Sequence, residues 1–169
     1  SEDFTIEVGA GTDNVKGGSG ADTIKVNSAG QGNADTLDGG AGTSDILQLS
    51  AGSHSFTDNS KLVNVETIKG HASSATTVVL TGQLETLKVD GGSAGDTITG
   101  GNGDDIITGG GGDDIISGGA GDDSLTGNAD NDTFKVDGGT DTITDLATGD
   151  IVVVSNSAKA QATGITAFE

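Results

Sequence analysis

Residues 91–135 read GGSAGDTIT GGNGDDIIT GGGGDDIIS GGAGDDSLT GNADNDTFK, five consecutive units of nine residues with no insertion between them. The sixth place is always aspartate: Asp96, Asp105, Asp114, Asp123 and Asp132. The eighth place is always bulky and apolar: Ile98, Ile107, Ile116, Leu125 and Phe134. The two places ask for different surroundings. Carboxylates need cations or hydrogen-bond donors, and aliphatic side chains need burial. One unit therefore implies both a core and a ligand.

The end of each unit suits a short strand, in which side chains alternate between faces. In the unit GGNGDDIIT, Ile107 then points inward while Ile106 and Thr108 point out. The first six residues must reverse the chain, and Gly100, Gly101 and Gly103 make that turn possible, because glycine tolerates positive φ and close backbone approach. Two units form one flattened coil, and successive coils stack as parallel strands about 4.8 Å apart. The expected fold is all-β, a parallel roll. Its register places Asp96 by Asp114 and Asp132 along one edge, and Asp105 by Asp123 and Asp141 along the other.

The pattern reaches beyond this array. A looser block runs through Val8–Lys16, Gly17–Lys25, Gly30–Asp38 and Gly39–Gln48, with aspartates Asp13, Asp22, Asp35 and Asp45. It predicts the pairs Asp13 with Asp35 and Asp22 with Asp45. Between the blocks, the runs Ser53–Phe56, Val65–Ile68, Thr77–Leu80 and Leu84–Val89 are strand-like. There the phrase at 64–69 (NVETIK) echoes that at 83–88 (QLETLK), close to two nonapeptides later. The middle is expected to continue the coil without cation sites. The chain divides into residues 1–49 with the first block, 50–90 without the motif, 91–145 with the second array, and 146–169 as cap and tail. All belong to one solenoid, and the opening at Ser1, without methionine, reads as a piece of a longer protein.

Composition narrows the function. The chain has 169 residues, 31 of them glycine, with no proline, cysteine, methionine, tryptophan or tyrosine and four phenylalanines. Its core must be thin and extended along one axis. Seven basic against 26 acidic residues give a net charge of −19. Nucleic acid is excluded as a partner, since phosphate binding needs clustered cations. Low hydrophobicity with such a charge reads as disorder unless something positive is bound. No apolar run approaches a membrane span, so membrane insertion is not expected, and no signal peptide appears.

Stacked aspartates repel one another unless a cation lies between them. All available ligands are oxygens, from carboxylates and turn carbonyls, and many hard oxygens in a flexible loop select calcium. Zinc would want Cys or His, and only His54 and His71 are present. The fifth-place acids Asp104, Asp113 and Asp122 are expected to face solvent, as are Ile106 and Ile115, on opposite faces. No catalytic motif occurs, and neither histidine has a catalytic setting, so no enzyme is expected.

The unit resembles the repeats-in-toxin (RTX) nonapeptide GGxGxDxUx, a calcium-binding β-helix repeat, over residues 8–48 and 91–145. The resemblance implies a parallel β-roll, a right-handed β-helix solenoid, and several calcium ions in the turns. It places them on the sixth-place aspartates and on turn carbonyls such as those of Gly101, Gly103, Gly110, Gly112, Gly119 and Gly121. It also implies type I secretion from a Gram-negative bacterium to the medium or cell surface. Residues 143–155 (ITDLATGDIVVVS) look like a capping segment, and 64–68 (NVETI) looks like a phrase common in bacterial surface-layer proteins. The array departs from the motif at Ala94, Asn128 and Asp130. Two functions are compatible with this reading. One is a calcium-folded structural module of a surface-layer protein or adhesin, with neighbouring copies or other domains as partners. The alternative is an accessory domain of a secreted hydrolase such as a metalloprotease or lipase.

Overall fold

The computed structural model describes residues 2–30, 34–155 and 158–163. Short β-strands joined by glycine-rich turns wind into a parallel solenoid, and no helix occurs among the described residues. One wall is a nine-stranded sheet of β1 (Thr5–Val8), β3 (Thr23–Val26), β5 (Ile46–Leu49), β8 (Thr67–Lys69), β10 (Lys88–Gly92), β12 (Ile106–Gly110), β14 (Ser124–Asn128), β16 (Thr140–Ile143) and β18 (Lys159–Ala162). The opposite wall is divided. Its first part holds β2 (Asn14–Lys16), β4 (Thr36–Asp38) and β7 (Leu62–Val63). Its second part holds β6 (Gly52–Ser55), β9 (Thr76–Val79), β11 (Thr97–Thr99), β13 (Ile115–Ser117), β15 (Thr133–Val136) and β17 (Ile151–Val154).

The register is the one the nonapeptide dictates. Ile107 lies beside Val89 and Leu125, and Ile116 beside Ile98 and Phe134. Alternation turns the eighth-place side chains inward, and Ile98, Ile107, Ile116, Leu125 and Phe134 are all fully buried. Each buried aliphatic or aromatic side chain contributes about 1.5–3 kcal/mol relative to exposure. The core is therefore two facing files of side chains running the length of the molecule. Ile106 and Ile115 face outward, 49% and 38% exposed, on different walls as expected.

The middle segment does continue the coil, with one change of shape. Most circuits hold two strands, whereas the one from β5 to β8 holds three, β5, β6 and β7, one in each sheet. Before it the return strand lies in the three-stranded sheet; after it, in the six-stranded sheet. Two expected runs shift here. Val65 lies in the short link between β7 and β8, where it packs inward at 6% exposure, and Leu84 stands 63% exposed in a turn. The amide of Leu84 donates to Asn59 Oδ1 (2.9 Å) rather than to a ladder. Strand β7 carried no alternation long enough to be read from sequence. At the far end, Ile151–Val154 pairs with β15 and ends its sheet, with Val152 packed against the core while Ile151, Val153 and Val154 stay exposed.

Candidate metal centre

Each sixth-place aspartate sits in the turn just before a strand, and Asp141 at the second residue of β16, so stacking the strands stacks the carboxylates. Along the edge of the nine-stranded sheet, Oδ1 of each aspartate accepts the backbone N–H of its counterpart one circuit earlier. Phe4 donates to Asp22 (2.7 Å), Asp22 to Asp45 (2.7 Å), Leu87 to Asp105 (2.8 Å), Asp105 to Asp123 (2.8 Å) and Asp123 to Asp141 (3.1 Å). The other edge repeats the arrangement. Asp13 donates to Asp35 (2.9 Å), Thr76 to Asp96 (2.6 Å), Asp96 to Asp114 (2.6 Å) and Asp114 to Asp132 (2.9 Å). All the pairs expected from sequence are brought together, and the insertions in the first block are absorbed in the turns without loss of register.

One oxygen of each carboxylate except that of Asp13 is thus accounted for. The second is not. Oδ2 of Asp13, Asp35, Asp45, Asp96, Asp114, Asp123, Asp132 and Asp141 is buried without a hydrogen-bond partner. Two others find an amide: Asp105 Oδ2 accepts from Gly101 (2.8 Å) and Asp22 Oδ2 from Gly18. Seven of the eight orphaned carboxylates belong to fully buried residues; Asp13 is half-buried. A buried carboxylate oxygen with no donor costs free energy unless a positive partner or a proton supplies the missing interaction. Protein cations do not supply it. Among the described residues one ion pair occurs, Lys16 with Asp38, at the surface.

Glycine makes the room for these oxygens. A Cβ on Gly91 would stand 2.6 Å from Asp96 Oδ2 and one on Gly100 2.8 Å from Asp105 Oδ2, while a Cβ on Gly109, Gly118 or Gly127 would run into the carboxylate of its own unit. The first-place residue points inward two positions after the core residue, and only a missing side chain leaves space for the aspartate to fold back. Gly110, Gly112, Gly119 and Gly121 have φ of +121°, +86°, +103° and +118°, the left-handed region that disfavours other residues. Gly101 and Gly103 lack positive φ, but their missing side chains face the Gln83 and Glu85 carbonyls of the circuit before. The carbonyls of Gly101, Gly110 and Gly119 each accept one amide from the next circuit, which leaves a second lone pair on each oxygen.

Electrostatics follow from this burial. Desolvation pushes Asp114 and Asp123 up to about 7, opposed by the amide each accepts and reinforced by the stacked aspartates on either side. Burial raises Asp96, Asp105, Asp132 and Asp141 in the same direction. No three acidic, histidine or cysteine side chains converge on one point among the described residues. A cation would be held by stacked carboxylates together with turn carbonyls, an all-oxygen set that fits calcium and does not fit zinc.

The fifth-place Asp104, Asp113 and Asp122 are exposed, as expected. They are not merely solvated: Asp104 Oδ1 accepts the amide of Asp122 (2.8 Å), Asp113 Oδ1 that of Asn131 (3.0 Å) and Asp122 Oδ1 that of Thr140 (2.7 Å). Four residues of the two edges escaped the sequence reading. Asp150 accepts the Asp132 amide (3.0 Å), a role its spacing of 18 from Asp132 could have revealed. Glu66 accepts the Asp45 amide (2.7 Å). Thr76 takes an aspartate's place and receives the His71 amide on Oγ1 (2.9 Å). Gln83, fully buried, donates Nε2 to the carbonyls of Phe56 (2.9 Å) and Asp58 (3.3 Å). His54 is buried in β6 with Nε2 3.0 Å from the Ser50 carbonyl oxygen, and burial lowers its pKa.

Comparison with known proteins agrees with this geometry. The family model for the RTX calcium-binding nonapeptide repeat (4 copies) matches residues 5–28, 29–52, 90–125 and 108–143, more than half of the chain. No curated protein and no solved structure matches.

Proposed function

The chain belongs to the family of RTX calcium-binding nonapeptide repeats, and from that premise we propose that it is a calcium-folded structural module of a secreted bacterial surface protein, of surface-layer or adhesin type. The observation that carries the reading is the row of eight buried, partnerless Oδ2 atoms. A divalent cation in each gap would supply what they lack and offset the net charge of −19. Asp13, Asp22, Asp35, Asp45, Asp96, Asp105, Asp114, Asp123, Asp132 and Asp141 would hold the ions, with turn carbonyls of the Gly101, Gly110 and Gly119 type. Calcium supplies charge neutralisation and bridging between circuits, so binding energy becomes folding energy.

The chain's own part is to orient one carboxylate oxygen through a backbone amide and leave the other for the ion. Such a module stays expanded where calcium is scarce inside the cell. It folds after export, at the roughly 10⁻⁴–10⁻³ M calcium at which extracellular modules bind. The surface-layer or adhesin role draws support from the Thr- and Ala-rich, aromatic-poor middle that separates two repeat blocks and from the NVETI phrase at 64–68. Far-ultraviolet circular dichroism through a calcium titration tests the switch: β signal should appear cooperatively. A full β signal already present in chelator at neutral pH would rule it out.

A further inference from the structure

The family-matched repeats stop at residue 52 and resume at 90, and nothing in the intervening sequence carries the glycine-aspartate unit. The acidic row nevertheless does not stop at Asp45. Glu66 occupies the next position on the same edge, since Ile46 pairs with Thr67 in the register of β5 and β8. It does there what the aspartates do elsewhere, accepting the Asp45 amide on Oε2 at 2.7 Å.

The atoms around the orphaned oxygen show which gaps it borders. Asp45 Oδ1 reaches back to the Asp22 amide. Asp45 Oδ2, on a residue 1% exposed, has no partner. It lies 2.8 Å from the point a Cβ on Gly39 would occupy, and the same point abuts the carbonyl oxygen of Asn64, one circuit further on. The first block has the same construction one step earlier, where the point beyond Gly17 is flanked by Asp22 Oδ2 and the Gly39 carbonyl. In the second array Gly91 is flanked by Asp96 Oδ2 and the Gly109 carbonyl, both within 2.6 Å. In each case Oδ2 and a carbonyl of the following circuit face one another. The orphan of Asp45 thus borders the gap toward Glu66; on its other side it lies 3.0 Å from the point a Cβ on Gly42 would occupy, which abuts the Gly20 carbonyl of the circuit before, so it is open to both gaps. Asn64 holds its carbonyl there with φ of +51°, a conformation asparagine tolerates better than most residues.

We propose that a calcium ion binds between Asp45 and Glu66, outside the recognised repeats, with Asp45 Oδ2, the Glu66 carboxylate and the Asn64 carbonyl oxygen among its ligands. The row ends one step later, because the next position is Leu87, which has no side-chain oxygen to offer. The inference rests on the calcium reading above and deepens it.

The test is a count of bound calcium by native mass spectrometry on the wild-type chain and on E66Q, E66D and E85Q. Glu85 lies in the next turn and is exposed. E66Q should hold one ion fewer than wild type, and E85Q the wild-type number. E66D should keep the number but release one ion at a lower chelator concentration. Equal counts in wild type and E66Q would overturn this site while leaving the calcium module intact. A wild-type chain that binds no calcium would remove the module reading itself. Should E66Q fail to gain β signal in calcium, E66D decides: a chelator-release curve superimposed on wild type refutes the site, and early loss of one ion supports it.

Discussion

Replacing Asp114 by asparagine should have opposite effects with and without calcium. Asp114 Oδ1 accepts the Asp96 amide at 2.6 Å, and its Oδ2 is buried with no partner. In the cation-free roll, burial lifts its pKa from 3.8 to about 7. The folded chain therefore retains a proton that the unfolded chain has released. This contribution to stability is present in full below pH 3.8 and is lost as pH rises from there through about 7. Above that, the ionised group disfavours folding by roughly 4 kcal/mol, at 1.36 kcal/mol per pKa unit. Asp123 follows the same course over the same window. Asparagine keeps the Oδ1 acceptor, has no charge to desolvate, and brings an amide donor that can meet a turn carbonyl as Gln83 meets those of Phe56 and Asp58. In chelator, the wild-type β signal should rise on acidification, and D114N should reach the same signal at higher pH. In calcium, D114N should need more of the ion to fold. The assay is circular dichroism against pH in chelator, paired with a calcium titration at about pH 7.5. If D114N in chelator folds no better than wild type at neutral pH, the buried charge is not what holds the cation-free chain open.

Three other outcomes are expected. Asp105→Asn combined with Asp123→Asn should weaken calcium binding more than Asp104→Asn combined with Asp122→Asn, read by calorimetry, and equal losses would contradict the assigned register. Ile107→Ala should cost about 2–5 kcal/mol in calcium, read from urea unfolding, because Ile107 is fully buried between Val89 and Leu125. Gln83→Ala should cost about 1–3 kcal/mol by taking the side-chain donor from the Phe56 carbonyl, and hydrogen exchange should report faster opening in the turn at 57–60.

The strand register was legible because the nonapeptide fixes both core and turn at once. Ile107 and Asp105 cannot change faces separately, so the period of the unit is the period of the coil. The same logic made the stacked pairs legible even in the looser first block. What escaped the sequence lies where the unit is missing. Gln83 acts only because Phe56 and Asp58 turn their carbonyls toward it from the circuit before, and Thr76 only because the His71 amide reaches it. Neither residue type announces such a role, since both are ordinary turn residues until a neighbouring circuit is laid against them. The three-stranded circuit escaped for a related reason: Leu62–Val63 is too short to show alternation and is held as a strand by pairing with β4.

The inner carboxylate ladder has a polarity. Wherever an acidic side chain answers, the later circuit lends its acceptor to the earlier one, from Asp22 serving Phe4 to Asp150 serving Asp132, and the run breaks where Leu87 follows Glu66. Trimming circuits from the N-terminal end would leave the remaining amides of this inner ladder answered, because their carboxylate acceptors lie downstream, whereas the outer Asp104 answers the later Asp122 amide. Trimming from the C-terminal end would strip the new last turn of the carboxylate that answered it. The stack thus has a finished end and an indebted end, and at Asp150 the need is met inside its own turn, where the Ala147 carbonyl accepts the Asp150 amide (3.3 Å).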